Sequence, residues 1–185
     1  MDAYSVAEGE RDWSPYSRVE EAAAVYLRDA DLALESLRGV VDLRAVQAFT
    51  LERTFRQKDW GESSFQEVAI TDGRRLILWI GEDIVDEDDE SGIALLESTI
   101  RSLPLSAIVD RSLDTRYRTS SDGARSLHSV ELRLCTMIPD SAAAKSPADT
   151  DIYREQFTFT KSVTNGGRAQ MERLAQFGRV VSGHG

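Results

Sequence analysis

Four carboxylates near the middle of the chain have the spacing of a metal site. In the stretch DEDDESGIALLE, residues 86–97, they take positions 1, 3, 5 and 12 of a calcium-binding EF-hand loop: Asp86, Asp88, Glu90 and Glu97. Position 6 of such a loop turns sharply and requires glycine, but this chain has Ser91 there and Gly92 one place later. The preceding RRLILWI is strand-like, whereas the motif follows a helix. The pattern disfavours calcium and leaves two interpretations, a solvated acidic loop or a surface that faces a partner.

Negative charge is concentrated in the same part of the chain. The formal net charge is −10, and residues 82–97 contain eight acidic residues and no Lys or Arg, so the rest of the chain carries only −2. The candidate partner-binding carboxylates are Asp86, Asp88, Asp89 and Glu90. Their partner would be a protein with a basic surface. Phosphate binding needs clustered Lys and Arg, so this balance argues against nucleic acid and against binding to anionic membranes by charge alone.

A group of arginines lies further along the chain. Arg111, Arg116 and Arg118 surround Tyr117, and strand alternation places Arg116 and Arg118 on one face, where they are candidate partner-binding residues. If they pair in trans with residues 82–90, copies of the protein assemble head to tail. Each exposed pair contributes about 0–1 kcal/mol. Such a contact would weaken with salt because exposed charges are screened.

Residue types that often carry catalysis are sparse. His128 and His184 have no neighbouring Cys or second His, and Cys135 is the single cysteine. The NGGR stretch at residues 165–168 precedes a helix whose first N–H groups would suit an anion, or it is a flexible turn. No spacing suggests a nucleophile with its base. We therefore predict a non-catalytic protein that uses neither a metal nor a cofactor.

Length and composition are those of one globular domain. A chain of 185 residues with 41% hydrophobic content needs no disulfide or metal to form a core. It contains no apolar run of roughly 20 residues and no signal-peptide pattern at its N-terminus. A single cysteine that cannot form an internal disulfide fits a reducing compartment, so we expect a cytoplasmic protein.

The N-terminal part predicts a lead-in followed by one amphipathic helix. Residues 1–16 are expected to form a flexible or loosely docked lead-in, and residues 17–39 a helix that begins with a Ser17–Glu20 capping box and stops at Gly39. Seven positions fall on one apolar stripe at helical spacing: Val19, Ala23, Tyr26, Leu27, Ala30, Leu34 and Leu37. The stripe packs on the domain's own sheet or, because nearby positions keep a 4-3-4-3-4 spacing, on a second copy.

From residue 44 the pattern changes to short strands. About seven runs are separated by turn signals, among them Asp72-Gly73 and Asp122-Gly123, where glycine accepts a positive φ. One run alternates, and its inward positions are Val130, Leu132 and Leu134. A helix closes the domain at residue 181, and residues 182–185 form a flexible tail. This order of elements predicts an antiparallel α+β fold or a partly open barrel.

Two segments, AITDGRRLILWI and IRSLPLSAIVDRSL, resemble the bacterial pleckstrin-homology-like (PH-like) and GRAM-like domains. The residues of the first motif are Thr71, Asp72, Arg75, Leu76 and Ile77. Those of the second are Leu103, Pro104, Leu105, Ile108 and Val109. The resemblance implies an antiparallel seven-stranded, partly open barrel with a C-terminal capping helix over residues 44–181. The helix at 17–39 and an acidic insertion at 81–99 are additions to that pattern.

The same resemblance raises the question of lipid headgroups. Relatives that bind them place Lys and Arg at the end of the first strand and the start of the second. Arg56 and Lys58 occupy the first place, but the second strand SFQEVAI has Glu67 and no basic residue. Trp60 follows in the turn QKDWGE, where it would insert into a membrane interface or a partner groove, or pack under the barrel edge. The candidate lipid-binding residues are Arg56, Lys58 and Trp60.

The function that we predict first is a non-catalytic PH-like module for protein interaction and self-assembly. It would act as a homo-oligomer or bind a protein partner with a basic surface. One alternative is an adaptor that makes weak contact with a membrane surface. Another, from a different class, is a small-molecule-binding or enzymatic α+β cup beneath the C-terminal helix.

Overall fold

The computed structural model describes residues 12–85, 94–140 and 151–183. Within these ranges the chain forms three α-helices and seven β-strands. In chain order they are α1 (Val19–Tyr26), α2 (Ala30–Arg38), β1 (Ala48–Lys58), β2 (Gly61–Thr71), β3 (Arg75–Val85), β4 (Ala94–Pro104), β5 (Ile108–Thr119), β6 (Arg125–Asp140), β7 (Asp151–Ser162) and α3 (Gly167–Val181). The chain divides into two compact units, Met1–Ser102 and Leu103–Gly185. The predicted α+β class and the seven strands are confirmed.

The first unit is built on a four-stranded sheet in the order β1-β2-β3-β4. Tight turns join the first three strands, and β2 pairs antiparallel with both β1 and β3. At the Asp72-Gly73 turn, Gly73 has a φ of 82°, which glycine adopts without steric cost. The Asp72 carboxylate accepts the backbone N–H groups of Arg74 and Arg75 at 2.9 and 2.8 Å. The predicted hairpin is therefore present.

Helices α1 and α2 cover one face of this sheet. The sheet contributes Phe49, Leu51, Val68, Ile70, Ile77 and Trp79 to that core. The helices contribute Val19, Ala22, Ala23, Ala33, Leu34 and Leu37. Trp13 is fully buried in the same core, with its ring 5.6 Å from that of Phe49. The predicted lead-in 1–16 is therefore wrong at its C-terminal end, while residues 1–11 lie outside the described ranges.

The single helix predicted over residues 17–39 is wrong, because the chain forms two helices. Leu27 is extended, with φ −81° and ψ 151°, and ends α1. The backbone N–H groups of Arg28 and Asp29 then donate to Oε1 of Gln66 at 2.7 and 3.1 Å, so the sheet binds these groups. The apolar stripe packs on the unit's own sheet, as the first of its two interpretations predicted.

The predicted capping box is also absent. Arg18 is the N-cap residue of α1, and its side chain makes no capping hydrogen bond. Glu20 instead accepts a hydrogen bond from the Arg18 guanidinium at 2.9 Å. Gly39 is the C-cap of α2, where the helix was expected to stop.

The second unit is a three-stranded sheet in the order β5-β6-β7, with α3 on one face. The predicted inward residues Val130, Leu132 and Leu134 are buried there. From α3 the buried apolar side chains are Met171, Leu174, Phe177 and Val181. The Phe177 ring meets that of Phe159 edge to face at 5.9 Å. These contacts explain why the helix docks on this face, because rings and aliphatic groups leave water together.

Strands β3 and β4 extend into the predicted acidic insertion. Strand β3 continues to Val85 and β4 begins at Ala94, so both ends of the interval 81–99 belong to the sheet. Residues 86–93 lie outside the described ranges. The insertion is therefore shorter than the predicted interval 81–99, because its two ends belong to β3 and β4.

Candidate interaction surfaces

Strand β5 is an exposed edge strand of the three-stranded sheet. Along it only Ile108 is buried and only Ser112 is half-buried, while the other residues are exposed. Its exposed large hydrophobic side chains are Val109, Leu113 and Tyr117, with 55%, 39% and 60% of their surface accessible. An edge strand that presents apolar groups and unpaired backbone is a common place for protein contacts.

The β5–β6 hairpin, residues 115–128, presents different chemistry on its two faces. We call it the basic hairpin. Directly opposed residues of an antiparallel pair share a face. One face, the arginine face, carries the pairs Arg116 with Ser129 and Arg118 with Ser126. The other carries the pairs Tyr117 with Leu127 and Thr119 with Arg125. The register shifts between the pairs Arg116–Ser129 and Tyr117–Leu127. His128 is therefore an extra residue in β6, opposite no residue of β5.

Three arginines of the basic hairpin carry free positive charge. Arg116, Arg118 and Arg125 are exposed, and within the described ranges none of their guanidinium groups has a hydrogen-bond or ion-pair partner. Arg111, grouped with them in the sequence, instead donates to the carbonyl oxygen of Leu105 at 2.8 Å. The hairpin residues therefore present guanidinium donors that no neighbouring carboxylate occupies.

The one carboxylate in the sequence of the basic hairpin is used at its turn. Asp122 accepts the Ser120 hydroxyl and, at 3.1 Å, the backbone N–H of Ala124. The Ser120 hydrogen bond lowers the pKa of Asp122, which keeps the carboxylate ionised. Three arginines against one aspartate give residues 115–128 a net charge of +2, within a chain of net charge −10.

The face of the three-stranded sheet that α3 covers continues onto the hairpin. Leu113 lies on this face, because both it and Leu132 come close to Gly178 of α3. Tyr117 lies on the same face of β5, four residues after Leu113. It is 60% exposed and pairs with half-buried Leu127. We call Leu113, Tyr117, Arg125 and Leu127 the tyrosine patch. It joins apolar surface to one unpaired guanidinium.

The outer side of α2 presents the opposite charge. Leu32 is 49% exposed and is flanked by the exposed carboxylates of Asp31 and Glu35, which lie one turn apart. Among the described residues neither carboxylate has a hydrogen-bond or ion-pair partner. A cleft of about 430 Å³ adjoins them, lined by Ala24, Leu27, Arg28, Asp29, Ala30, Asp31 and Leu32. We call this cleft, with Asp31, Leu32 and Glu35, the acidic groove.

The three residues predicted to meet lipid lie together at the β1–β2 hairpin. Trp60 is 41% exposed in the turn, next to the end of the strand that carries Arg56 and Lys58. The Arg56 guanidinium lies 5.7 Å from the centre of the Phe65 ring. Lys58 Nζ lies 3.8 Å from a carboxylate oxygen of Glu82. Residues 56–62 contain two cations and two anions, so this tip has no net charge.

The predicted acidic partner surface falls partly outside the described ranges. Its four predicted residues, Asp86, Asp88, Asp89 and Glu90, all lie outside these ranges. Two carboxylates counted with them, Glu82 and Asp83, lie on β3 and already have cationic partners, Lys58 and Arg28 respectively. Two of the eight acidic residues of the segment are therefore already paired within the first unit.

A polar cluster that sequence reasoning missed lies where α1 and α2 meet the sheet. The Arg28 guanidinium binds both oxygens of Asp83 and donates to Asp29 at 2.7 Å. Asp83 also accepts the backbone N–H of Ser64 at 2.9 Å, and the Gln66 amide donates to Asp29 at 2.5 Å. The cluster binds the helices to the sheet. Its signal was present in the sequence, because Ser64 and Gln66 continue the β2 face of Val68 and Ile70 with polar groups.

The Arg28 hydrogen bond lowers the pKa of Asp83 against the opposing effect of burial. The same hydrogen bond raises the pKa of Arg28. Both groups are therefore charged at neutral pH. A carboxylate held in this way by a guanidinium and a backbone N–H is a structural group rather than a proton donor.

The sequence also singled out His128, Cys135, His184 and residues 165–168. His128 is exposed at the bulge, and Cys135 is half-buried with Sγ 3.8 Å from Oε1 of Gln156. His184 lies outside the described ranges. Residues 165–168 form a turn into α3, in which the Asn165 N–H donates to the Ser162 carbonyl at 3.1 Å. Among the described residues no group of three or more His, Cys, Asp or Glu is placed to hold a metal ion.

Comparisons of the chain with protein-family models, with curated proteins and with solved structures found no match. Within the described ranges, no helix combines the length and apolar character needed to cross a membrane.

Proposed function

We propose that the protein is a non-catalytic PH-like module that assembles with a second copy of itself through the basic hairpin. The observation that carries this proposal is the set of three unpaired arginines beside a tyrosine that is 60% exposed. Arginine and tyrosine are enriched among the residues that dominate protein interfaces. Unpaired guanidinium groups on an acidic protein are suited to carboxylates of a partner.

The order of elements supports the PH-like part of the proposal. Seven strands followed by one helix occupy Ala48–Val181, as the resemblance implies. The Thr71–Ile77 motif forms the β2–β3 hairpin, and the Leu103–Val109 motif spans the end of β4 and the start of β5. A partly open barrel belongs to the same proposal.

The arginine face accounts for the attractive force. Arg116 and Arg118 stand two residues apart on one strand face, so an extended acidic segment would meet both. By sequence, residues 86–90 of a second copy supply five consecutive carboxylates. Exposed charges interact over a Debye length of about 10 Å at 0.1 M salt, so the association should weaken as salt is added.

The packing beneath α3 supports an interaction module over a ligand-binding cup. Leu132, Leu174 and Phe177 are at most 1% exposed, and Phe159 stacks edge to face on Phe177. Side chains of this size fill the space between helix and sheet, where a cup would hold its ligand.

Light scattering coupled to size-exclusion chromatography tests the proposal at low and high salt. We expect a wild-type oligomer that dissociates as salt rises, and an Arg116→Ser/Arg118→Ser variant that associates more weakly than wild type at low salt. The matched control is Arg44→Ser/Arg74→Ser, which removes two exposed arginines that also lack described partners. A wild-type protein that is monomeric at every concentration would contradict self-assembly.

A second candidate function is an adaptor that contacts a membrane surface through the β1–β2 hairpin. The exposed Trp60 beside Arg56 and Lys58 favours it. The zero net charge of residues 56–62 argues against membrane binding through this hairpin, because each cation near an anionic surface contributes only about 1 kcal/mol.

A further inference from the structure

We infer that the tyrosine patch of one copy docks into the acidic groove of another copy. The inference rests on the proposed self-assembly and names the surface that receives the hairpin. Both surfaces consist of described residues, and each combines exposed apolar area with charge that has no described partner. The two charges are opposite.

The two surfaces carry opposite charges that have no described partner. On the hairpin, Arg125 shares a face with Tyr117 and has no described partner. On α2, Asp31 and Glu35 have no described partner and flank Leu32. An arginine between two carboxylates one helical turn apart makes charge-assisted hydrogen bonds to either. Arg116 and Arg118, on the opposite face of the strand, strengthen the attraction at longer range.

The apolar match is between a ring and a groove. Tyr117 is the most exposed large hydrophobic side chain on β5, at 60%. The cleft of about 430 Å³ is lined by aliphatic side chains, those of Ala24, Leu27, Ala30 and Leu32, and by the charged Arg28, Asp29 and Asp31. An aromatic ring that enters such a cleft leaves water on both faces, as the central residues of protein interfaces do. Leu127, opposite Tyr117, would then cover Leu32.

The contact joins two different surfaces, so its geometry is head to tail. Each copy offers one hairpin and one groove, and a contact uses the hairpin of one and the groove of the other. This arrangement predicts complementation between defective copies. A copy without a working hairpin and a copy without a working groove still share one intact contact.

The test uses full-length variants that carry one charge reversal each. Arg125→Glu disables the hairpin, and Asp31→Lys disables the groove. Each variant alone should associate at least about tenfold more weakly than wild type, because like charges would face each other. An equimolar mixture should regain association by sedimentation velocity at low salt, because one intact contact remains and the two reversed charges, which meet in the other contact, are again opposite. Tyr117→Ser should weaken association in the same way without a change in charge, and thermal unfolding checks that every variant is folded.

The outcomes separate this inference from the proposed function. If wild type associates but the mixture stays monomeric, the groove is not the receptor, although self-assembly stands. A variant with Asn at positions 86, 88 and 89 and Gln at 90 then tests the acidic segment as receptor. The inference would also be overturned if the Asp31→Lys variant on its own associates as strongly as wild type. If wild type does not associate at any concentration, both the inference and the proposed function fail.

Discussion

Arg28 binds both carboxylate oxygens of Asp83, a residue 55 positions away in the chain, at 2.6 and 2.5 Å. The guanidinium comes from the link between α1 and α2, and the carboxylate from β3. The Asp83 side chain is only 8% exposed, whereas that of Arg28 is 41% exposed. The pair therefore fastens the helices to the sheet at a point where polar side chains replace the apolar core.

Asp83→Asn should lower the free energy of unfolding by about 1–3 kcal/mol. The change removes the charge that Arg28 and the Ser64 N–H bind, and it leaves the guanidinium with only Asp29. Urea unfolding measures the loss. Asp59→Asn is the matched control, because this exposed carboxylate in the same unit has no described partner and should change stability by less than about 0.5 kcal/mol. Equal effects of the two substitutions would contradict the role assigned to Asp83.

The stabilisation from this pair should depend on pH in one direction. The Arg28 hydrogen bond places the native pKa of Asp83 below the unfolded value of about 4. The contribution is therefore complete above pH of about 5 and is lost as pH falls through the native pKa. We expect the stability difference between wild type and Asp83→Asn to be constant at neutral pH and to shrink in acid. A difference that grows as pH falls would show that the sign is wrong.

Gly81→Ala should destabilise the first unit by about 1–3 kcal/mol. A Cβ at this position would lie 2.6 Å from Cη2 and 2.9 Å from Cζ2 of the Trp79 ring, which is fully buried and cannot move into solvent. Thermal unfolding of Gly81→Ala, Trp79→Phe and the double variant gives the coupling. The smaller ring should recover at least about 1 kcal/mol of the loss in the Gly81→Ala background. Additive effects would mean that the ring contact is not the cause.

Vesicles test the lipid candidate against the protein-interaction proposal. Because residues 56–62 carry no net charge, we expect the protein to remain in the supernatant when phosphatidylserine vesicles are sedimented at roughly 0.15 M salt. The comparison is between wild type and Trp60→Ala. Co-sedimentation of wild type that disappears in Trp60→Ala would favour the membrane adaptor instead.

The strands were predictable because their signals are local. The Asp72-Gly73 turn, and the alternation of Val130, Leu132 and Leu134, follow from φ preferences and from a period of two residues. Nothing non-local was needed to place these elements. The same holds for α3, whose buried residues keep helical spacing.

The errors occurred where distant residues compete with local preference. The break between α1 and α2 depends on Gln66, whose amide oxygen accepts the N–H groups of Arg28 and Asp29 across the fold. The sequence of residues 17–39 alone favours one helix. Trp13 was assigned to a lead-in because its neighbours are polar, although its ring belongs to the core.

Part of the candidate surface could be predicted and part could not. Arg116 and Arg118 were found from their alternation around Tyr117. Arg125 was missed, because its place opposite Thr119 depends on the extra residue in β6. The acidic groove was missed because the sequence predicted one continuous helix over residues 17–39. The cleft exists only because the chain forms two shorter helices there.

The burial of Trp13 and Trp79 gives this protein two spectroscopic reporters. The three tryptophans, at positions 13, 60 and 79, all belong to Met1–Ser102, and Leu103–Gly185 contains none. Two indoles are fully buried, while Trp60 is 41% exposed. Tryptophan fluorescence of the full-length chain, excited at a wavelength that tyrosine does not absorb, therefore follows the first unit alone, whereas circular dichroism follows both. A difference between the two melting curves would reveal separate unfolding of the units without a label or a truncation.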